Sequence, residues 1–170
     1  MKGYIHLYTG NGKGKTTAAL GLALRAAGAG KKVFIAQFVK GMHYSELEAL
    51  ERIPSIELTQ FGLDCFIVNQ PTQKDIDAAR KGLEEVSALI LQNIYDMVVL
   101  DEICIALYYH LFETDEVIAM LKSKQKEIEI VLTGRYAPPV LYEIADLVTE
   151  MNEIKHYYQD GIEARKGIEF

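Results

Sequence analysis

The stretch Gly10-Asn11-Gly12-Lys13-Gly14-Lys15-Thr16-Thr17 carries the most specific chemistry in this sequence. Its glycines let the backbone curl with N–H groups pointing inward, the geometry of an anion cradle. Lys15 supplies a point charge for phosphate, and the Thr16 hydroxyl is placed to ligate a divalent cation. The common phosphate-binding loop reads G-x-x-x-x-G-K-[ST]. Here position 9 is Thr9, so the loop reads G-x-x-x-G-K-T, one residue short. A loop of full length holds the β-phosphate for γ-phosphoryl transfer. The shortened form is expected to hold a triphosphate in another pose.

Other groups could act with that loop. Val98-Val99-Leu100 runs into Asp101-Glu102, an apolar strand ending in carboxylates that can hold Mg²⁺ opposite Thr16. Adjacent strand residues point to opposite faces, so one of Asp101 and Glu102 is expected to face a nucleotide, and the sequence leaves open which. Arg135, in Thr133-Gly134-Arg135, has a planar fork suited to phosphate oxygens. Gln37 to Gly41, with Lys40, close another strand. His156, beside Lys155, is a weaker candidate. Phe38, Phe61 and Phe66 are core residues by default, although Phe66 lies in a stretch where an aromatic could pack on a flat ligand. No Ser-His-Asp arrangement or zinc-ligand spacing competes.

The elements that must position these groups alternate. Residues 4–8 form an apolar run before the glycine loop, and AALGLALRAAGAG after it is a helix ending near 28–30. Strands are predicted at 32–39, 56–61, 96–100, 128–133 and 147–151. Between them, Ser45 with Glu48 predicts a capping box on a short helix stopped by Pro54. Thr72 to Asp75 opens a long helix whose stripe is Ile76, Ala79, Leu83, Val86 and Ile90. Thr114 or Asp115 caps a helix running to about 125, and Pro138-Pro139 starts one through 145. A polar, glycine-punctuated tail ends the chain. Alternating strands and helices, with several strands apolar on both faces, predict an α/β fold: a mostly parallel sheet covered by helices on both faces. In such a sheet function collects at the carboxyl ends of strands. Four of the predicted ends carry polar or charged residues: 10–17, 37–41, 101–102 and 133–135.

Composition sets the limits. With 170 residues the chain is read as one domain, 1–170, large enough to bury about 70% of its unfolded surface. A net charge of −6 argues against a nucleic-acid partner that works by phosphate neutralisation. Cys65 and Cys104 form no C-x-x-C pair and are read as buried small hydrophobes in a reducing cytoplasm. The first residues hold no leader-like apolar segment and no run approaches a membrane span, so membrane and secretory locations are not expected. These residues alone describe a Mg·NTP-binding domain and leave the acceptor open. A P-loop small-molecule kinase of nucleoside type would use the site for phosphoryl transfer. A non-catalytic nucleotide-binding module or partner-coupled ATPase would use it for binding and slow hydrolysis. Neither explains the short loop.

Taken together, TGNGKGKTTAALG, QFVKG, VVLDE, VLTGR, ADLVTEM and KHYYQDGIEARKGIEF resemble, nearly end to end, the bacterial ATP:corrinoid adenosyltransferases of cobalamin biosynthesis. The resemblance implies a RecA-like P-loop fold, usually a homodimer. It also implies transfer of the 5′-deoxyadenosyl group of ATP to reduced Co(I) corrinoid with release of triphosphate. ATP would be held reversed relative to ordinary P-loop enzymes, a reason for the short loop. Carried over by match, Gly10, Asn11, Gly12, Lys13, Gly14, Lys15, Thr16 and Thr17 wrap the triphosphate, and Arg135 contacts the nucleotide. Thr16 and Glu102 contact Mg²⁺ or Mn²⁺, with Asp101 the other carboxylate. Gln37, Lys40, Gly41 and Glu46 lie where the corrinoid enters. An electron donor such as a flavodoxin or flavoprotein reductase is implied. Two features depart from the family pattern. Members often carry an N-terminal extension over the corrin ring, whereas here the first strand starts at once. Members also often carry a G-F-x-W stretch that helps displace the lower axial ligand. This chain has no tryptophan, and Phe66 in Cys65-Phe66-Ile67-Val68 is the aromatic that stands there.

Overall fold

A computed structural model describes residues 2–63, 67 and 70–170. Its strands are β1 (Ile5–Thr9), β2 (Val33–Phe38), β3 (Ile56–Phe61), β4 (Met97–Asp101), β5 (Glu129–Thr133) and β6 (Leu147–Glu150). They pair in parallel throughout, in the order β3-β2-β4-β5-β1-β6. The helices are α1 (Lys15–Gly28), α2 (Ser45–Leu50), α3 (Gln73–Gln92), α4 (Ile103–Tyr108), α5 (Thr114–Ser123) and α6 (Pro139–Ile144).

Strand periodicity sorts the apolar side chains into two cores, one per sheet face. Val33, Ile35, Val99 and Val131 meet Ala19, Ala23 and Ala26 of α1, whose small side chains let that helix sit close on the sheet. Phe34, Phe38, Val98, Leu100, Ile130 and Leu132 point the other way, onto Ala79, Leu83, Val86 and Ile90 of α3 and onto α4 and α5. The central strands therefore read as continuous apolar runs because both of their faces are covered. The stripe predicted for α3 is the buried one, with Ile76 half-buried at its start.

Several local expectations change. Tyr44, not Ser45, occupies the N-cap position of α2, and the Ser45 hydroxyl instead donates to the Phe170 carbonyl at 3.1 Å. The cap of α5 is Glu113, in a reciprocal box with Glu116; its longer carboxylate does the work assigned to Thr114 or Asp115. Helix α4 was not predicted. It starts directly after the β4 carboxylates, and the chain turns into it through Glu102 in the left-handed region, φ 59°. β6 is an edge strand with every residue exposed, and it has a neighbouring strand on one side only. Cys104 is buried as expected, and burial pushes its thiol up to about 12. Cys65 lies outside the described residues. Among those residues, no helix is long and apolar enough to cross a membrane.

Candidate nucleotide-binding site

Register brings the predicted groups together. β5 lies between β1 and β4, with Tyr8 opposite Thr133 and Leu132 opposite Leu100. Gln37 of β2 lies opposite Asp101. The carboxyl ends of β1, β2, β4 and β5 thus meet at one edge of the sheet, where a parallel α/β sheet opens a crevice. An open cavity of about 960 Å³ lies there, against the glycine loop and the first turn of α1.

The loop is shaped by backbone demands that only glycine meets. Gly14, at the N-cap of α1, has φ 115°. At Gly10 and Gly12 an added Cβ would lie 2.5 and 2.7 Å from the Met151 carbonyl oxygen. That carbonyl accepts the Gly12 N–H at 2.6 Å, so the end of β6 braces the loop. α1 has no side-chain cap and no acidic residue in its first turn, which leaves its leading N–H groups for an anion. The buried Lys15 ammonium closes the curl, donating to the carbonyls of Gly10 and Gly12 at 2.7 Å each. Burial lowers the pKa of Lys15, and the Arg135 guanidinium adds to the effect.

Beneath the loop the fully buried Asp101 carboxylate is the hub of a polar web. Its Oδ1 accepts from the hydroxyls of Thr16 (2.8 Å) and Thr133 (2.7 Å). Its Oδ2 accepts from Lys40 Nζ (2.7 Å) and from the Gln37 amide (3.3 Å). The Thr133 hydroxyl also accepts the Glu102 backbone N–H at 3.0 Å. Burial pulls the Lys40 pKa down, but the adjacent Asp101 outweighs it and the ammonium is held above its ordinary range. Glu102 lines the cavity with Lys15 and Thr16, and its Oε2 is buried without a hydrogen-bond partner. Burial, reinforced by Asp101, raises its pKa. Of the two acids, Glu102 lines the cavity, and Asp101 is fully buried beneath it with its carboxylate on Thr16. The strand ends at Asp101, and Glu102 turns out of it in the left-handed region.

The other expected residues divide by placement. Lys13, Gly14, Thr17, Lys40, Glu46 and Arg135 line the cavity, as does Gly12. Gln37 is fully buried beneath it, holding Asp101 and accepting from the Gln60 amide at 3.1 Å. Asn11 is exposed and Gly41 packs toward the Leu63 backbone; neither lines the cavity. Phe66 lies outside the described residues, so the axial-ligand expectation attached to it has no structural counterpart here.

Two contributors had not been singled out. Thr133 stood within a recognised strand end, and its small hydroxyl beside a predicted carboxylate was the available signal. The tail carries part of the family resemblance without pointing to the site, and it lines the cavity through Ala164, Gly167, Ile168, Glu169 and Phe170. Lys13 Nζ donates to the Ile168 carbonyl (2.8 Å) and to Glu169 Oε1 (2.6 Å), and the Tyr157 hydroxyl also donates to Glu169. The bonds from Lys13 and Tyr157 hold the Glu169 carboxyl down to about 2.

The chain is similar to known proteins in sequence and in fold. The sequence matches the family described as ATP:corrinoid adenosyltransferase BtuR/CobO/CobP over residues 1–170. Corrinoid adenosyltransferase of Pseudomonas aeruginosa is 37% identical over 99% of this chain and 84% of its own length. That of a Sinorhizobium species is 40% identical over 99% of this chain and 81% of its own. That of Escherichia coli is 33% identical over 99% and 86%. Among solved structures, a KaiC-like protein from Pyrococcus horikoshii superposes with TM-score 0.59 at 17% identity, over 91% of this chain and 74% of that one. The last likeness bears on the fold alone and makes it a RecA-like P-loop fold. From first residue to last, the chain belongs to the ATP:corrinoid adenosyltransferase family.

Proposed function

We propose that this protein transfers the 5′-deoxyadenosyl group of ATP to the Co(I) of a reduced corrinoid, within a single domain spanning 1–170. The observation that carries the reading is the short loop: closed by Lys15, braced by Met151 and opening on the cavity through an uncapped helix N-terminus. Such a cradle grips a triphosphate as a leaving group. The Co(I) electron pair forms the Co–C5′ bond, the C5′–O bond breaks, and its electrons leave on triphosphate. Loop N–H groups, Lys15 and Arg135 stabilise the charge that develops there. The nucleophile is the substrate's cobalt, so the chain's task is to align C5′ with it.

The site residues suit Mg²⁺, or Mn²⁺ in its place. The Thr16 hydroxyl, the Asp101 carboxylate and the orphaned Glu102 Oε2 lie together beside the loop. Hard oxygen donors that share a cation with phosphate oxygens are the set Mg²⁺ prefers. When bound, the ion neutralises phosphate charge as the triphosphate departs. Glu46 and the cavity mouth face the corrinoid side, and Lys40 lines the same cavity with its ammonium on Asp101. Co(I) has to be generated by an external low-potential donor, with a flavodoxin or flavoprotein reductase the fitting class, in the cytoplasm. The open edge of β6, with Leu147 and Val148 exposed, supports a homodimer.

The test is product analysis. The protein is incubated with ATP, Mg²⁺ and chemically reduced corrinoid, and the phosphate product is identified. Inorganic triphosphate with a light-sensitive Co–C species is expected. ADP with a phosphorylated acceptor, or binding without turnover, would overturn the reading.

A further inference from the structure

The Lys40 side chain occupies an unusual place for a residue at the cavity mouth. Its ammonium lies 2.7 Å from Asp101 Oδ2 and 3.4 Å from Thr16 Oγ1, beside the bond that the Thr16 hydroxyl makes to Asp101 Oδ1. The side chain is 12% exposed and its charge lies 5.1 Å from the centre of the Tyr44 ring. Thr16 and Asp101 are two of the hard oxygen donors that would hold a divalent ion. The ammonium sits against that pair, and two cations so close would repel.

The backbone around Lys40 is held, and what ties down its side chain is the ion pair with Asp101. Val39 has φ 51° at the exit of β2. A Cβ at Gly62 would lie 2.4 Å from the Lys40 N, and one at Gly41 would lie 2.5 Å from the Leu63 carbonyl. The segment is therefore wedged against the exit of β3. The four-carbon stem rises from this anchored point and borders the open cavity. Rotation of the side chain about its stem would carry the ammonium from Asp101 toward the cavity that Lys15 and Thr16 also line.

We infer that Lys40 is the resident cation of the metal position. It neutralises buried Asp101 in the free protein, yields that place to Mg²⁺, and becomes a ligand of the incoming triphosphate. The exchange conserves hydrogen bonding, because phosphate oxygens replace the carboxylate as the ammonium's acceptors. Its consequence is an order of events: metal alone is excluded, and metal enters together with the nucleotide that gives Lys40 a new partner. The inference rests on the Mg·ATP reading of Thr16, Asp101 and Glu102.

The experiment is a titration with Mn²⁺ followed by the electron paramagnetic resonance signal of the free ion, with and without ATP. It uses the wild type and Lys40→Met, which keeps the unbranched stem to within one atom of its length and removes the charge. Wild type is expected to bind no Mn²⁺ at millimolar metal without ATP. Lys40→Met is expected to bind it at least about tenfold more tightly, because a positive charge within about 4 Å no longer opposes entry. The variant's thermal midpoint should also rise on adding MgCl₂ alone. Lys40→Gln repeats the titration, since it can still donate to Asp101 without a charge should the methionine variant fold poorly. Equal metal affinity in wild type and variants, with ATP binding still metal-dependent, would overturn the exchange and leave the metal site standing. ATP binding that ignores metal in every protein would overturn both.

Discussion

Asp101→Asn tests whether the buried web, rather than the loop alone, holds the site together. The substitution keeps the shape and one oxygen, which can still accept from Thr16 and Thr133. It turns the other oxygen into a donor facing two donors, the Lys40 ammonium and the Gln37 amide. Gln37 cannot simply flip to accommodate it, because its own oxygen is engaged by Gln60. The lost charge-assisted bond, a stranded amide and an unpaired ammonium would together cost about 5 kcal/mol if nothing moved. Lys40 borders an open cavity and can swing into water, which reduces the expected cost to about 2–4 kcal/mol. At roughly 2–4 °C per kcal/mol for a chain of this size, the midpoint should fall by about 4–16 °C. Calorimetric unfolding of wild type, Asp101→Asn, Lys40→Met and the double variant measures this directly. The double-mutant cycle should show the two losses to be less than additive, since each removes the same pair. A midpoint within about 2 °C of wild type, or strict additivity, would refute the idea that this carboxylate organises the strand ends.

Lys15→Ala should lower adenosylation by about 10²–10³-fold, as removal of a charge-stabilising donor does, while circular dichroism remains that of the wild type. Near-normal turnover would remove Lys15 from the triphosphate clamp. Thr133→Val deletes a hydroxyl that bonds both Asp101 and the Glu102 N–H, and should cost about 1–3 kcal/mol by denaturant unfolding. It should also weaken the metal dependence of turnover by about 10–100-fold, as loss of an orienting partner does. Glu169→Ala should release the tail, read by mass spectrometry as faster tryptic cleavage after Arg165 and Lys166. The Glu169 carboxyl is depressed from 4.5 to about 2. Its contribution is therefore complete above the ordinary value and is lost only as pH falls toward about 2. Hydrogen exchange of the tail should accordingly be as protected at pH 5 as at pH 7, after correction for intrinsic rates.

Much of this protein is written locally. The six strands and the amphipathic stripe of α3 follow from residue type and period, because burial of apolar faces is what each segment alone can signal. The shortened glycine loop is equally legible, since its backbone demands act within a few residues. The position of the chain turns is less so: Ser45 looks like a cap, yet its hydroxyl is claimed by a carbonyl from the far end of the chain. What tertiary structure alone decided is the identity of partners. The register of β2, β4 and β5 sets Gln37 and Thr133 beside Asp101, and the left-handed turn at Glu102 puts its carboxylate on the cavity above that buried acid. The fold of the tail sets Glu169 on Lys13. A hydrogen bond or ion pair is made between groups that meet in space, and no periodicity within a segment encodes which distant segment will arrive.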